Sequence, residues 1–308
     1  LPVAKLYLNG EFNVSKEIPV YCIESFHPNE EEPAPIGFDF QLLEVLAHRF
    51  KFTNRPHRHD FYNLLLITAG TGRHTIDFVT YKLQAGSFFF LSPGQVHSWE
   101  LSPDIRGYTL FFKPDFFLID RSPHRLRDLP FYHSMSNDPT VLLKDQSLRE
   151  VVQLLESIRQ EYLRPAPHQA SIIRAFLEIL LLKLSRFYDK DRPAASSYVS
   201  HQVSTYETLI DHHFREAKNV KDYAEMMNLT PRNLGKICKK SLNKTATELI
   251  QERIILETKR LLLHSDLTVK QIVDDLQFKD DSYFVKYFKK ATGTTPEQFR
   301  QEHWRGEG

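Results

Sequence analysis

The spacing of apolar positions changes character near residue 145. Between 38 and 113 the runs YNLLLITAG, RHTIDFVTY, GSFFFLSPG and IRGYTLFF are short, apolar or alternating, and separated by Gly, Pro and Ser. Such runs predict strands, and many short strands so punctuated predict a small barrel or sandwich. From about 145 the period becomes helical. Ser147 and Glu150 read as a capping box, and Val151, Leu154, Leu155, Ile158 and Tyr162 follow on one helical face. After Pro165 and Pro167 a second helix is predicted through Ile172, Ile173, Phe176, Leu177, Leu180, Leu184 and Phe187. Its stretch 179–182 is apolar all round, which predicts burial on more than one side. The stretch KDRPAASSY, 190–198, reads as a linker. Everything from 199 to 308 reads as helix.

The helical tail repeats itself. Residues 220–250 align with 269–300 at an offset of 49 that rises to 50. Asn219 and Thr268 are predicted N-caps, the latter in a box with Gln271, and a short turn follows each helix. Thr230-Pro231 starts the next helix of the first copy, and Asp280 or Asp281 caps its counterpart. Asn243 and Gly293 end these helices, and boxes Thr245–Glu248 and Thr295–Gln298 start the next ones. Helix, tight turn, helix, twice, outlines two helix-turn-helix units. No proline or glycine interrupts 245–265, so one continuous helix is expected between the units.

A helical projection separates two faces in each copy. Leu234, Ile237, Cys238 and Ser241 fall inward, with Arg232, Lys236, Lys239 and Lys240 opposite. In the second copy Phe284, Tyr287, Phe288 and Ala291 fall inward, with Ser282, Lys286, Lys289 and Lys290 opposite. Charge now adds to the picture. The whole chain carries only +1. Yet 230–247 holds five basic residues and no acid, and 282–296 holds three lysines and no acid. Two basic faces in register favour phosphate binding over a merely solvated surface.

Composition excludes several classes. An apolar share of 41% and a charged share of 26% fit a globular protein, and 308 residues suggest about two domains. Two cysteines, Cys22 and Cys238, allow neither a disulfide framework nor a zinc-finger spacing, so a reducing, cytoplasmic setting is expected. Apolar runs are too short for a membrane span, and the start shows no signal pattern. The chain opens on Leu1 rather than methionine, so native residues are expected before it.

The segment TVKQIVDDLQFKDDSYFVKYFKKATGTTPEQFR resembles the second DNA-binding unit of the AraC/XylS family of bacterial transcription regulators. The match lies in SYF, FKK, the TG-TP pair and the closing FR, and the resemblance covers about 200–303. It implies base contacts from Arg232 and Lys236 with Asn233 nearby, just after Thr230, and from Ser282, Tyr283 and Lys286. Lys239, Lys240, Lys289 and Lys290 are better placed for phosphates. Two positions depart from the family. Gln277 stands where glycine is usual and is expected to shape its turn differently. Gly235 stands where a longer side chain often faces bases.

In the first half, RPHRHDFYNLLLITAGTG and GSFFFLSPGQVHSW together resemble the paired motifs of cupin barrels, which many AraC-type regulators carry as sensors. In metal-binding cupins two histidines, a glutamate and a third histidine hold the ion. Here Asn63 stands in the glutamate's place, and an amide is a poor ligand for a divalent metal. No metal and no cofactor are therefore expected. The barrel interior is instead the expected small-molecule site, with His57, His59, Tyr62, His74, His97 and Trp99 as effector-binding candidates and histidines that merely cap strand ends as the alternative.

The expected fold is multidomain. A cupin-like all-β barrel (1–113) precedes a helical segment (114–189) that is a candidate for dimerisation, the linker 190–198 and an all-α double helix-turn-helix domain (199–308). The expected function is effector-responsive, sequence-specific DNA binding, with activation as the output. The expected partners are double-stranded DNA, a small-molecule effector, a second copy of the chain and RNA polymerase. There is no Gly-rich phosphate loop, G-x-S-x-G or H-E-x-x-H, and no catalytic residues are expected. The competing reading is a metal-dependent cupin enzyme with an appended helical domain.

Overall fold

The structure, a computed structural model, describes residues 17–27, 37–50, 54–118, 126, 129–132, 138–189 and 197–303. Contacts divide the chain into two compact units, one over 19–194 and one over 195–308. Of the expected linker, 190–196 lies outside the described residues, and 197–198 already belongs to a helix.

The first unit contains, in order, β1 (Val20–Tyr21), β2 (Phe38–Leu42), α1 (Leu43–Arg49), β3 (Arg58–His59), β4 (Tyr62–Ala69), β5 (Gly72–Ile76), β6 (Val79–Leu83), β7 (Ser87–Leu91), β8 (His97–Leu101), β9 (Arg106–Phe112), α2 (Pro114–Leu118), β10 (Thr140–Leu142), α3 (Asp145–Tyr162) and α4 (Gln169–Asp189). A five-stranded antiparallel sheet has the order β10-β7-β4-β9-β2, a three-stranded sheet the order β6-β5-β8, and β1 pairs with β3 in parallel.

Side-chain alternation in β7 explains why the unit has two cores. Phe89 and Leu91 point between the two sheets, where they meet Leu65, Ile67, Phe61, Phe111 and Trp99. Phe88 and Phe90 point the other way, into a core roofed by Leu155, Ile158, Leu177 and Leu184 of α3 and α4. A strand covered on both faces reads as a continuous apolar run, hence Phe88, Phe89, Phe90 and Leu91 in succession. The two helices thus share a core with the sheet, in the same compact unit.

Several local expectations are corrected. RHTIDFVTY is a hairpin rather than one strand: β5 turns into β6 at Asp77, whose φ is +53°. Residues 43–49 are helical, because Leu43 and Leu46 are buried at a helical interval. Ser147 is not a cap. It sits in the first turn of α3, and its hydroxyl accepts from the Lys144 N–H at 3.0 Å. On α4, Leu177, Leu180, Leu181 and Leu184 are buried, but Ile172, Ile179 and Leu182 are exposed, so burial is one-sided within the chain.

The second unit is wholly helical: α5 (Ser197–His213), α6 (Val220–Met226), α7 (Pro231–Leu242), α8 (Ala246–His264), α9 (Val269–Asp275), α10 (Asp281–Thr292) and α11 (Pro296–His303). Among the described residues no helix of the chain is long and apolar enough to cross a membrane. The cap boxes form as the sequence spaces them, at Thr245–Glu248, Thr268–Gln271 and Thr295–Gln298. Asn219 precedes α6, but its side chain makes no capping bond. The 19-residue α8 runs unbroken between the repeats, about 28 Å long. Its end is tied down by Arg300, which donates to the carbonyls of Leu262 and Leu267 at 2.9 and 2.6 Å.

Candidate nucleic-acid interface and histidine core

The helices α7 and α10 are built alike. Thr230 Oγ1 accepts from the Asn233 N–H at 3.2 Å, and the Asp280 carboxylate accepts from the Tyr283 N–H. Both helices end on a left-handed residue, Asn243 at φ +55° and Gly293 at φ +88°. The turns that lead into them also match. Asn228 and Gln277 adopt φ +53° and +52°, and the N–H of the next residue bonds back five residues, Leu229 to Ala224 and Phe278 to Val273. Gln277 therefore takes the same turn as its counterpart Asn228, in a backbone conformation that suits glycine better.

The exposure pattern over 231–240 is the same, position by position, as that over 281–290. Leu234 and Cys238 are buried, as are Phe284 and Phe288. Thr230, Arg232, Asn233, Lys236, Lys239 and Lys240 are exposed, and so are Ser282, Tyr283, Lys286, Lys289 and Lys290. Ile237, Ser241 and Tyr287 are half-buried at the edge, and Ala291, expected inward, is exposed. Lys239 also donates to the Asn243 carbonyl at 2.9 Å, closing the helix end. A Cβ at Gly235 would meet nothing within 4 Å, so the middle of α7 presents a gap where Val285 stands on α10.

In the first unit four histidines converge between the sheets. Register places His74 of β5 opposite Trp99 of β8, and Ile76 opposite His97. His57 and His97 exchange backbone hydrogen bonds at 3.0 and 2.9 Å. Their rings lie 4.3 Å apart, and His59 lies 4.7 Å from His97. His97 Nδ1 is 3.0 Å from His74 Nε2, and His97 Nε2 is 3.4 Å from His59 Nε2. The His57 Nδ1–H donates to the Arg55 carbonyl at 2.7 Å, which leaves the ring's lone pair on Nε2. Burial keeps all four neutral. It pushes His57 down to about 4 and His74 down to about 3, and holds His59 and His97 well below the ordinary range.

Nitrogens of His57, His59 and His97 lie within 4.8 Å of one another and could hold a metal ion. Two ligand nitrogens on a tetrahedral ion, with bonds of about 2.0–2.1 Å, stand roughly 3.3–3.4 Å apart. That matches His59 and His97. Asn63 is engaged elsewhere, since its Oδ1 accepts from the Thr109 hydroxyl at 2.9 Å. Trp99 joins the cluster, 5.6 Å from His97. Tyr62 does not. It lies on the opposite face of β4, stacked on Phe112 at 5.3 Å in the core beneath the helices, so its place among the effector candidates is corrected: alternation along β4 sends Tyr62 and Asn63 to opposite faces.

Comparison with known proteins bears on both units. Residues 38–180 match the AraC-like ligand binding domain, and residues 223–302 match a helix-turn-helix domain. The chain thus carries an AraC-like ligand-binding domain ahead of a helix-turn-helix domain. The transcriptional activator RhaR of Cronobacter sakazakii is 21% identical over 254 residues, covering 80% of this chain and 86% of that protein. RhaR of Escherichia coli K12 is 23% identical, covering 79% and 86%. Among solved structures, ToxT of Vibrio cholerae aligns over 88% of this chain and all of its own, with 14% identity and a TM-score of 0.40. The C-terminal domain of AraT from Geobacillus stearothermophilus covers 37% of this chain at 25% identity, with a TM-score of 0.33.

With these two domains the chain is a DNA-binding transcription regulator. One group was missed in the sequence. Glu257 is fully buried on α8 and touches three arginines. The spacing Arg253-x3-Glu257-x2-Arg260, which sets one acid between two arginines along one face of the helix, was the available signal.

Proposed function

We propose that the chain is an effector-responsive activator that reads two short DNA elements per copy, one with α7 and one with α10. The observation that carries this is the shared exposure pattern of the two helices at either end of one unbroken helix. A strut of about 28 Å is close to the roughly 34 Å between successive major-groove faces on one side of a duplex. In this reading Arg232, Asn233 and Lys236 face the bases of one element, and Ser282, Tyr283 and Lys286 those of the other. Lys239, Lys240, Lys289 and Lys290 hold phosphates and supply the salt dependence. Activation follows the named role of the relatives, with RNA polymerase as partner and the cytoplasm as the place. A second copy associates through the exposed face of α4. The barrel serves as a sensor rather than a catalyst, and its ligand, by meeting His57, His59, His74, His97 and Trp99, biases one of two arrangements. Genome-wide mapping of bound DNA tests this. Paired elements about ten base pairs apart, upstream of a small set of genes, are expected.

The spacing of His59 and His97 favours a second reading of the sensor, in which the effector is a divalent transition ion held by His57, His59 and His97. Three neutral imidazoles suit zinc, copper, nickel or iron.

A further inference from the structure

The helix-turn-helix repeats are joined by more than α8. Glu257 lies in the middle of that helix with no exposed surface. Its Oε2 accepts from Arg253 Nη1 at 3.0 Å and from Arg260 Nη1 at 3.4 Å, and its Oε1 accepts from Arg215 Nη2 at 3.4 Å. The outer ends of two of these arginines reach other helices. Arg253 Nε donates to Asp211 on α5 at 2.9 Å. Arg215, in the turn after α5, donates from Nε to Asp275 at the end of α9 at 3.3 Å. Phe214 lies beneath both guanidinium groups, 3.9 Å from that of Arg253 and 4.6 Å from that of Arg215.

The cluster therefore runs from α5, which packs on α7, through α8 to α9, which leads into α10. Buried ion pairs are poor sources of net stability, because desolvation offsets their attraction. Their better-attested use is to specify one arrangement among several. Guanidinium groups suit that use, since each fork satisfies two acceptors in a fixed plane. A helix joined to its neighbours by apolar contacts alone can roll by small angles at little cost. Here a roll of α9 relative to α5 would break the half-exposed Arg215–Asp275 arm of the fork or draw Arg215 away from Glu257, which keeps Arg253 and Arg260.

We infer that the Arg215–Glu257 cluster, with Asp211, Arg253 and Asp275, fixes the phase between α7 and α10 and thereby sets which spacing of the two DNA elements is accepted. These are positioning residues, since none lies on the exposed faces of α7 or α10. The inference rests on the two-element reading proposed above.

Arg215→Ala is the informative variant, because Glu257 keeps Arg253 and Arg260 and no buried charge is stranded. Asp275→Asn is a second, milder cut at the other end of the fork. The probe is a two-element site recovered by selection from random DNA with the full chain. It is then rebuilt with the elements moved by −1, +1 and +2 base pairs, alongside duplexes with one element alone. The wild type is expected to prefer the recovered spacing by tenfold or more. Arg215→Ala is expected to flatten that preference to within threefold and to bind the single-element duplexes within twofold of wild type. Asp275→Asn should fall between the two. A variant profile as steep as the wild type overturns the inference, and so does an equal loss on single-element and two-element DNA, which marks damage to the fold. A wild type indifferent to spacing removes the two-element reading itself, and the inference with it.

Discussion

Lys236 and Lys286 stand fifty residues apart and occupy the same station on their helices, each exposed and each two residues beyond a fully buried Leu234 or Phe284. The equivalence means that each lysine is presented by a helix held in the same way, so the two can be compared as readers. Lys236→Ala is expected to relax preference at one or two base pairs of one element, at a cost of about 1–3 kcal/mol if the contact is bidentate. Lys240→Ala should weaken all sequences alike and lower the salt slope by about one unit. Selection profiles and salt titrations of both variants check this. An unchanged specificity profile in Lys236→Ala removes it from base reading.

Association through α4 is testable at its exposed apolar positions. Leu180 and Leu181 are core, so Leu180→Glu or Leu181→Glu is expected to unfold the first unit rather than yield a soluble monomer. Ile179→Glu and Leu182→Glu, both on the exposed face, should fold normally and sediment as monomers. A dimer retained in both would move the interface elsewhere.

Acid should destabilise the first unit. The histidines have native affinities for protons below their unfolded value of 6.5, with His57 near 4 and His74 near 3. The unfolded chain therefore binds more protons than the native one in between. Stability is full above about 6.5 and falls as the pH drops towards 4, because the unfolded chain takes up protons that the buried rings refuse. Thermal unfolding of chelator-treated protein from pH 7.5 to 4.5 measures the slope. His74→Phe, which keeps the ring volume, should make it shallower.

The two readings of the sensor separate on metal content. If an ion is the effector, purified chain takes up about one zinc, and His97→Ala loses it together with the response in transcription. An organic effector instead predicts no uptake and a response that is still altered by His59→Ala and His97→Ala.

The turn at Gln277 supplies a small, clean test of the fold. A left-handed residue with a side chain costs about 1–2 kcal/mol relative to its preferred region. Gln277→Gly removes that cost but adds unfolded-state entropy. A net gain of about 0.5 kcal/mol is expected, read as a modest rise in melting temperature. A loss would show that the Gln277 side chain contributes contacts of its own.

The second unit was legible in the sequence because its signals are local. Thr-Pro, Asn and Gly at helix ends, and boxes at fixed spacing, act over four residues and survived folding nearly unchanged. The first unit was harder to read. The run RHTIDFVTY hides a turn because its reversal depends on Asp77 accepting a positive φ, with no glycine to mark it. The fate of Tyr62 follows from which face of β4 meets α3 and α4, which is a tertiary fact. The same holds for Ile179 and Leu180, adjacent and alike in the sequence but opposite in exposure. The Glu257 cluster joins residues from 211 to 275, and the spacing of Arg253, Glu257 and Arg260 announces only the part of it that lies within α8.

The central claim is that one chain reads two elements, one with each repeat. Footprinting of the full chain, Arg232→Ala and Lys286→Ala on the same two-element site tests it most directly. The account predicts that the wild type protects both elements, that Arg232→Ala exposes one, and that Lys286→Ala exposes the other. Loss of the same element in both variants, or protection of a single groove by the wild type, would contradict it.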